Sequence, residues 1–214
     1  MWLCALSEKE QPILNDLRKR TLQNLKSTVA RHRTMDGDRA QSIVHLDIDY
    51  FFAQVEERRL RVQDGRPLGV QQNMEVASVN YAARARGLFN RISVAEAKRR
   101  CPELLLVRGD NGVNGMARYR IASQGVLRCV MAALDGARGV PLVWDQRCVE
   151  QPSFDDFFMR LPVDGATAEA WAVRLRERVL QTTGLRCSTG VARTKLLAML
   201  ATKRAKRGSA VVYR

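Results

Sequence analysis

Apolar and polar positions along this chain switch repeatedly between the two-residue period of strands and the wider period of helices. The apolar run Ile43-Val44-His45-Leu46 predicts a strand ending in an acidic group, and Phe51-Phe52-Ala53-Gln54-Val55-Glu56 reads as the start of a helix. Apolar segments at 67–71 and 76–79 flank the polar Gln72-Asn73-Met74-Glu75, which is a hairpin signature. Short helices are expected over 81–86 and 93–101, the second stopped by Pro102, then a strand over 104–107. A long helix follows over 113–134, weakened by Gly115 and Gly125, and the stretch at 135–139 is a loop. Strands are expected over 143–149 and 153–159, with Pro152 between them marking an edge or a bulge. Trp171, Leu175 and Val179 share one face of a helix ended by Gly184. A strand over 187–192, a helix from Thr194 and a strand from Ala210 complete the pattern. Ahead of it, Pro12 opens an amphipathic helix carrying Leu14, Leu17, Leu25 and Val29, so 1–41 reads as an N-terminal helical extension. The expected class is α+β, a mixed sheet covered by helices with an excursion at roughly 52–106 and no internal repeat.

Composition narrows the partners. The 214 residues suit one large or two small domains, and 46% hydrophobic residues are ample for a core. A net charge of +14 points to polyanions, either nucleic acid or an acidic membrane surface. From 186 to 214 there are eight basic residues and no acidic one, which suits a phosphate-contacting surface. The five cysteines (4, 101, 129, 148 and 187) are odd in number and include no C-x-x-C pair, so they are expected as reduced, mostly buried thiols of an intracellular protein. The apolar stretch at 1–6 is too short for a signal peptide, and no run approaches a membrane span. Neither His32 nor His45 is nominated for chemistry; His45, inside a strand, is expected to be packed.

Two acidic clusters carry the candidate chemistry: Asp47-Ile48-Asp49 at the end of an apolar run, and Asp155-Asp156 after Ser153-Phe154. Carboxylates distant in sequence are costly to crowd together unless a divalent cation neutralises them. A hard cation such as Mg²⁺ takes oxygen ligands, and two of them can hold the attacking and leaving oxygens of a phosphoryl displacement. Either cluster alone is better read as a strand-end turn, which Asp favours.

The segment from Ile43 through Glu56 closely resembles the opening catalytic motif of the Y-family, or translesion, DNA polymerases. Pro67-Leu68-Gly69-Val70-Gln71-Gln72 is similar to the family's fingers strand, Asn80-Tyr81-Ala82-Ala83-Arg84 to its nucleotide-binding segment, and Cys101-Pro102 to the end of the following helix. Ser153-Phe154-Asp155-Asp156 resembles the second catalytic motif, and 187–198 the last palm segment. Within the family, Gly-Val-Gln-Gln and the Asp-x-x-Phe pattern look most like the iota branch.

This resemblance implies a polymerase palm at 42–51 and 107–205 and a small inserted fingers domain at 52–106. It implies two Mg²⁺ ions, with Mn²⁺ as a substitute, held by Asp47, Asp155, Asp156 and the carbonyl of Ile48. Asp156 stands where the family usually has Glu, keeping the charge but losing one methylene of reach. Phe52 matches the steric-gate position, with Phe51 expected in the core; Ser78, Tyr81, Arg84 and Lys206 match nucleotide-binding positions, and Gln72 would face the template. The implied activity is template-directed transfer of dNMP to a primer 3′-hydroxyl in bypass of DNA damage, with primer–template DNA and dNTP as partners and no membrane. A nuclear location is expected, or the cytoplasm for a bacterial source. Family members continue into a thumb and a little finger, so 206–214 would begin a truncated region, and any sliding-clamp contact would use parts absent here. The alternative is a non-catalytic fragment that binds DNA or a partner.

Overall fold

The computed structural model describes residues 41–109, 116–135, 148–206 and 210–212. The expected extension ahead of Gln41, and the expected strand over 143–149 except for its last two residues, lie outside the described residues. Within them the chain is α+β, as its periodicity implies, and it builds two sheets.

The first sheet is centred on β1 (Ser42–Ile48), which pairs antiparallel with both β7 (Asp156–Leu161) and β8 (Cys187–Ala192). The two-residue β6 (Val149–Glu150) pairs with β7, and β9 (Ala210–Val212) lies parallel to β8. Alternation along β1 sends Val44, Leu46 and Ile48 into the main core. There they meet Tyr119, Val126 and Val130 of α4 (Ala117–Asp135) and Trp171, Leu175 and Val179 of α5 (Gly165–Thr183). The opposite face, with His45 and Asp47, turns toward α6 (Lys195–Arg204). Every residue of β8 is buried, as a strand covered on both faces requires. Gly190 allows that covering: a Cβ there would stand 2.2 Å from the Ala198 carbonyl oxygen and 2.4 Å from the Thr202 nitrogen. The bare backbone is what lets α6 seat on the sheet.

The second sheet has the order β4-β3-β2-β5, built from β2 (Leu68–Gln72), β3 (Glu75–Val79), β4 (Ile92–Ser93) and β5 (Leu105–Arg108). The expected hairpin forms between β2 and β3, turning through Asn73, whose φ of 52° suits the left-handed tolerance of Asn. β5 joins parallel to β2 and carries this sheet to Arg108, two residues past the expected boundary at 106. Val76, Val79, Ala83, Leu88, Ile92 and Ala97 form a separate core between this sheet and the helices α2 (Tyr81–Ala85) and α3 (Val94–Arg100).

Helix ends follow their chemistry. Asn80, Ser93, Asp164 and Thr194 each accept a backbone N–H at the start of a helix, and Gly184 ends α5 with φ 65°. The expected strand over 153–159 instead starts at Asp156. Ser153 Oγ accepts the N–H groups of Asp155 and Asp156 at 3.3 and 3.2 Å, a local turn that competes with the ladder. The long helix starts at Ala117 rather than 113, with 113–115 outside the described residues. Cys101, Cys129 and Cys187 are buried free thiols and Cys148 is half-buried, matching the expected filler role among the described residues.

Replacing Gly190 by Ala is expected to lower folding stability by about 2 kcal/mol, because helix and strand must separate to admit the methyl group. Urea denaturation monitored by circular dichroism checks this; an unchanged midpoint would contradict the close approach.

Candidate active site

The acidic clusters meet because of strand register. Asp47 lies directly across from Asp156 in the β1–β7 pair, and the Ile48 N–H donates to the Asp155 carbonyl at 2.9 Å. β1 then turns into α1 (Phe51–Leu60) through Tyr50, a non-glycine residue at φ 36° and ψ 47°. Such a conformation is sterically costly and must be held by its surroundings. Gln54 supplies one clamp, donating to the Asp49 carbonyl at 2.6 Å and to the Arg186 carbonyl at 3.0 Å while accepting the Arg186 N–H. Glu56, fully buried, supplies another by accepting from Arg59 at 2.7 Å and from Arg118 and Tyr119 at 2.8 Å, which pins α1 to α4.

Between the two sheets lies a cavity of about 260 Å³ lined by Asp47, Ile48, Phe52, Ser78, Tyr81, Arg84, Asp155 and Lys206, together with Tyr50, Phe51, Ala77 and Asn90. Eight of the sequence-nominated residues are therefore brought together. Two are not: Asp156 and Gln72 do not line this cavity. Phe51 is 2% exposed and belongs to the core, whereas Phe52 is half-buried, edge-on to Tyr119 with centroids 4.7 Å apart. Ser78 donates to the Tyr50 carbonyl at 3.3 Å. Arg84 is exposed, bonds the Val79 carbonyl and lies 5.7 Å from the Tyr81 ring centroid, and Tyr81 packs edge-on against Tyr50.

Asn80, whose own role the sequence did not reveal, organises this wall. Its Oδ1 accepts from Ala83 and Leu68 N–H at 2.8 and 3.1 Å, and its Nδ2 donates to Glu57 at 2.6 Å and to the Arg66 carbonyl at 2.8 Å. All four hydrogen-bonding positions of the amide are used, which fixes the start of α2 and so the placement of Tyr81 and Arg84.

Charge at the strand ends is unevenly balanced. Burial pushes the Asp47 carboxyl above its ordinary pKa; Lys206 opposes this and the neighbouring Asp156 and Asp155 reinforce it. Asp155 is also raised, chiefly by burial, against a hydrogen bond from Ser153 at 2.7 Å. Asp156 is lowered, first by its hydrogen bond from His45. Lys206 bonds Asp47 and lies 3.5 Å from Asp49 Oδ1, which also accepts from Ser188 at 2.8 Å. Asp49 Oδ2 is buried with no hydrogen-bond partner among the described residues.

The donors available are hard: two carboxylates and a backbone carbonyl, already carrying an ammonium at Asp47. That set fits a hard divalent cation. The described residues hold no group of three acidic, His or Cys side chains gathered as a metal cluster, and Asp156 is bonded to His45 at 3.2 Å.

The model of the impB/mucB/samB family matches residues 46–203, a span that contains both acidic clusters and the whole cavity except Lys206. The chain belongs to the impB/mucB/samB family. It is 32% identical over 198 residues to DNA polymerase iota of Drosophila melanogaster, covering 75% of this chain and 25% of that protein. It is 44% identical over 84 residues to the iota enzyme of Mus musculus, covering 39% and 11%. DNA polymerase IV of Francisella tularensis subsp. novicida (strain U112) is 30% identical over 165 residues, covering 75% and 43%. The solved structure "Dbh Ternary Complex (substrates partially disordered)" superposes with a TM-score of 0.69 at 22% identity, covering 81% of this chain and 48% of that one. That likeness establishes the fold, a polymerase palm with inserted fingers. The impB/mucB/samB match bears out membership of the Y family, and the chain spans a quarter of the fly relative and less than half of the bacterial one. Among the described residues no helix is long and apolar enough to cross a membrane.

A carboxyl whose folded pKa is raised withdraws stability as pH climbs from its unfolded value, near 4, through the folded one. Burial raises the Asp155 pKa, so ionising this carboxyl costs the metal-free fold stability. Asp155→Asn is expected to raise the thermal midpoint of the metal-free chain at pH 7, with the gain shrinking toward pH 4. Scanning calorimetry across that range checks it; a lowered midpoint at pH 7 would contradict the assignment.

Proposed function

We propose that this chain carries the nucleotidyl-transfer centre of a translesion DNA polymerase, acting on primer–template DNA and a dNTP. The observation that carries the reading is the shared cavity, lined both by the Asp47 and Asp155 carboxylates and by Tyr81, Arg84 and Lys206. Cation-binding carboxylates and anion-binding side chains thus line one space, as a metal-bound triphosphate would need.

On this reading the five-stranded sheet with α4, α5 and α6 is the palm, and the four-stranded sheet with α2 and α3 is the fingers. Asp47, Asp155 and the Ile48 carbonyl would hold divalent cations, Mg²⁺ or Mn²⁺. When bound, these ease deprotonation of the primer 3′-hydroxyl and neutralise charge on the leaving pyrophosphate. The protein's own contribution is placement. The Tyr81 hydroxyl and Arg84 guanidinium donate charge-assisted hydrogen bonds to phosphate oxygens, and Ser78 stands beside them. Lys206 exchanges its contact with Asp47 for the incoming triphosphate, so the ammonium serves two anionic partners in turn. The Phe52 ring, packed edge-on against Tyr119, would act as the steric gate against a ribose 2′-hydroxyl. Gln72, at the end of β2 and outside the cavity, would face the template. Such an activity belongs in the nucleus of a eukaryotic cell or the cytoplasm of a bacterial one.

Primer extension by the 214-residue chain, run beside a salt-dependent DNA titration, tests the reading. Asp155→Asn is expected to lower extension by at least about 100-fold, the scale seen when a preorganised electrostatic group is lost, with DNA affinity largely kept. Phe52→Ala is expected to admit ribonucleotides. DNA binding without extension in the unsubstituted chain would favour a non-catalytic DNA-binding role instead, and extension by Asp155→Asn at the unsubstituted rate would refute the site.

A further inference from the structure

The register that sets Asp47 opposite Asp156 also sets His45 opposite Phe158, one step away on the same face of the sheet. His45 is 2% exposed, and its two ring nitrogens are both engaged. Nδ1 lies 2.9 Å from Thr202 Oγ1, and Nε2 lies 3.2 Å from Asp156 Oδ1. An ionised carboxylate only accepts, so Nε2 carries the hydrogen in that contact. Ser153 Oγ takes the other oxygen of Asp156 at 2.9 Å. Both oxygens are thus engaged, one by His45 and one by the Ser153 hydroxyl, which also reaches Asp155 Oδ1 at 2.7 Å, and Asp156 does not line the cavity that Asp47 and Asp155 share. The short side chain compounds this: an aspartate has one methylene less with which to reach past its partners than the glutamate usual at this place.

We propose that His45 is a positioning residue which holds Asp156 back from the metal-binding cavity, so that a cation can recruit the third carboxylate only by displacing the His45 bond. The competition sets how tightly the more weakly held cation binds. This rests on the reading of Asp47 and Asp155 as metal ligands. It assigns a role to a histidine that is otherwise a packed strand residue, tilted against the Phe158 ring with centroids 4.4 Å apart and anchored to α6 through Thr202. Those two contacts do not depend on Asp156. Thr202 Oγ1 also bonds the Ala198 carbonyl at 2.9 Å, so an aromatic ring without nitrogens leaves the hydroxyl satisfied.

The test is Mn²⁺ binding to the full chain, without DNA or nucleotide, read from the paramagnetic resonance of free Mn²⁺. His45→Phe keeps the ring and removes the donor; the weaker Mn²⁺ affinity is expected to tighten by about tenfold, the scale of second-sphere effects on metal affinity. His45→Gln, whose amide can still donate to Asp156, is expected to stay near the unsubstituted protein. In an Asp156→Asn background His45→Phe is expected to have no effect. Unchanged or weaker binding in His45→Phe would overturn the proposal. If that variant does not fold, the half-exposed Asp156→Glu carries the test, with tighter binding expected and no tightening overturning it. Asp47→Asn separates the two levels. Mn²⁺ affinity unaffected by it would sink the metal-site reading itself, whereas a loss there with no change in His45→Phe sinks only the role of His45.

Discussion

Buried negative charge at the ends of β1 and β7 is the constraint to which the surrounding structure answers. Asp47, Asp49, Asp155 and Asp156 are brought together by strand pairing, and adjacent strands stand only about 4.8 Å apart, too close for ionised carboxylates to ignore one another. Each acquires a different compensation. Lys206 takes Asp47 and approaches Asp49, Ser188 donates to Asp49, Ser153 bridges Asp155 and Asp156, and His45 holds Asp156. None of these bonds neutralises Asp155, whose raised pKa records the deficit. A fold shaped only for stability would have no reason to keep it. On the proposed reading, the same deficit is what a cation-dependent centre would require, at a cost in folding free energy.

A second network holds the opposite wall. Asn80 ties the start of α2 to β2 and, through Glu57, to α1, while Gln54 and Glu56 lock α1 to the start of β8 and to α4. α1 is thus fastened to both sheets, and the cavity lies where it leaves the first. The left-handed Tyr50 turn is the joint. It lets the strand that carries Asp47 pass within two residues into the helix that carries Phe52, so carboxylate and aromatic ring line one cavity. Rigid support of this kind would matter for the proposed nucleotidyl transfer, in which placement governs rate and a misplacement of about 1 Å is costly.

Much of this was legible in one dimension. The strand–helix order, the hairpin and the helix end at Gly184 follow from local periodicity and backbone chemistry, which need no distant partner. The deeper burial of Phe51 than of Phe52 was also readable. Other features were not. The two-residue β4 has too few positions to show a period, and the late start of β7 reflects Ser153 capturing the N–H groups that would have extended the ladder. The parallel partnership of β2 and β5 joins segments more than thirty residues apart, with nothing in either to announce the other.

The sequence by itself determined which groups were available: acidic clusters at strand ends, a phenol and a guanidinium at the head of a short helix, a lysine in a basic terminal stretch. Their motifs, in order along the chain, sufficed for the family. Only the tertiary structure decided how they share the work. Asp47 and Asp155 face one cavity, while Asp156, adjacent in sequence and identical in chemistry, is turned aside by a histidine 111 residues away. Spacing along a chain cannot report such a choice, because it depends on strand register and on the helix packed over it, and both are settled only when the sheet closes.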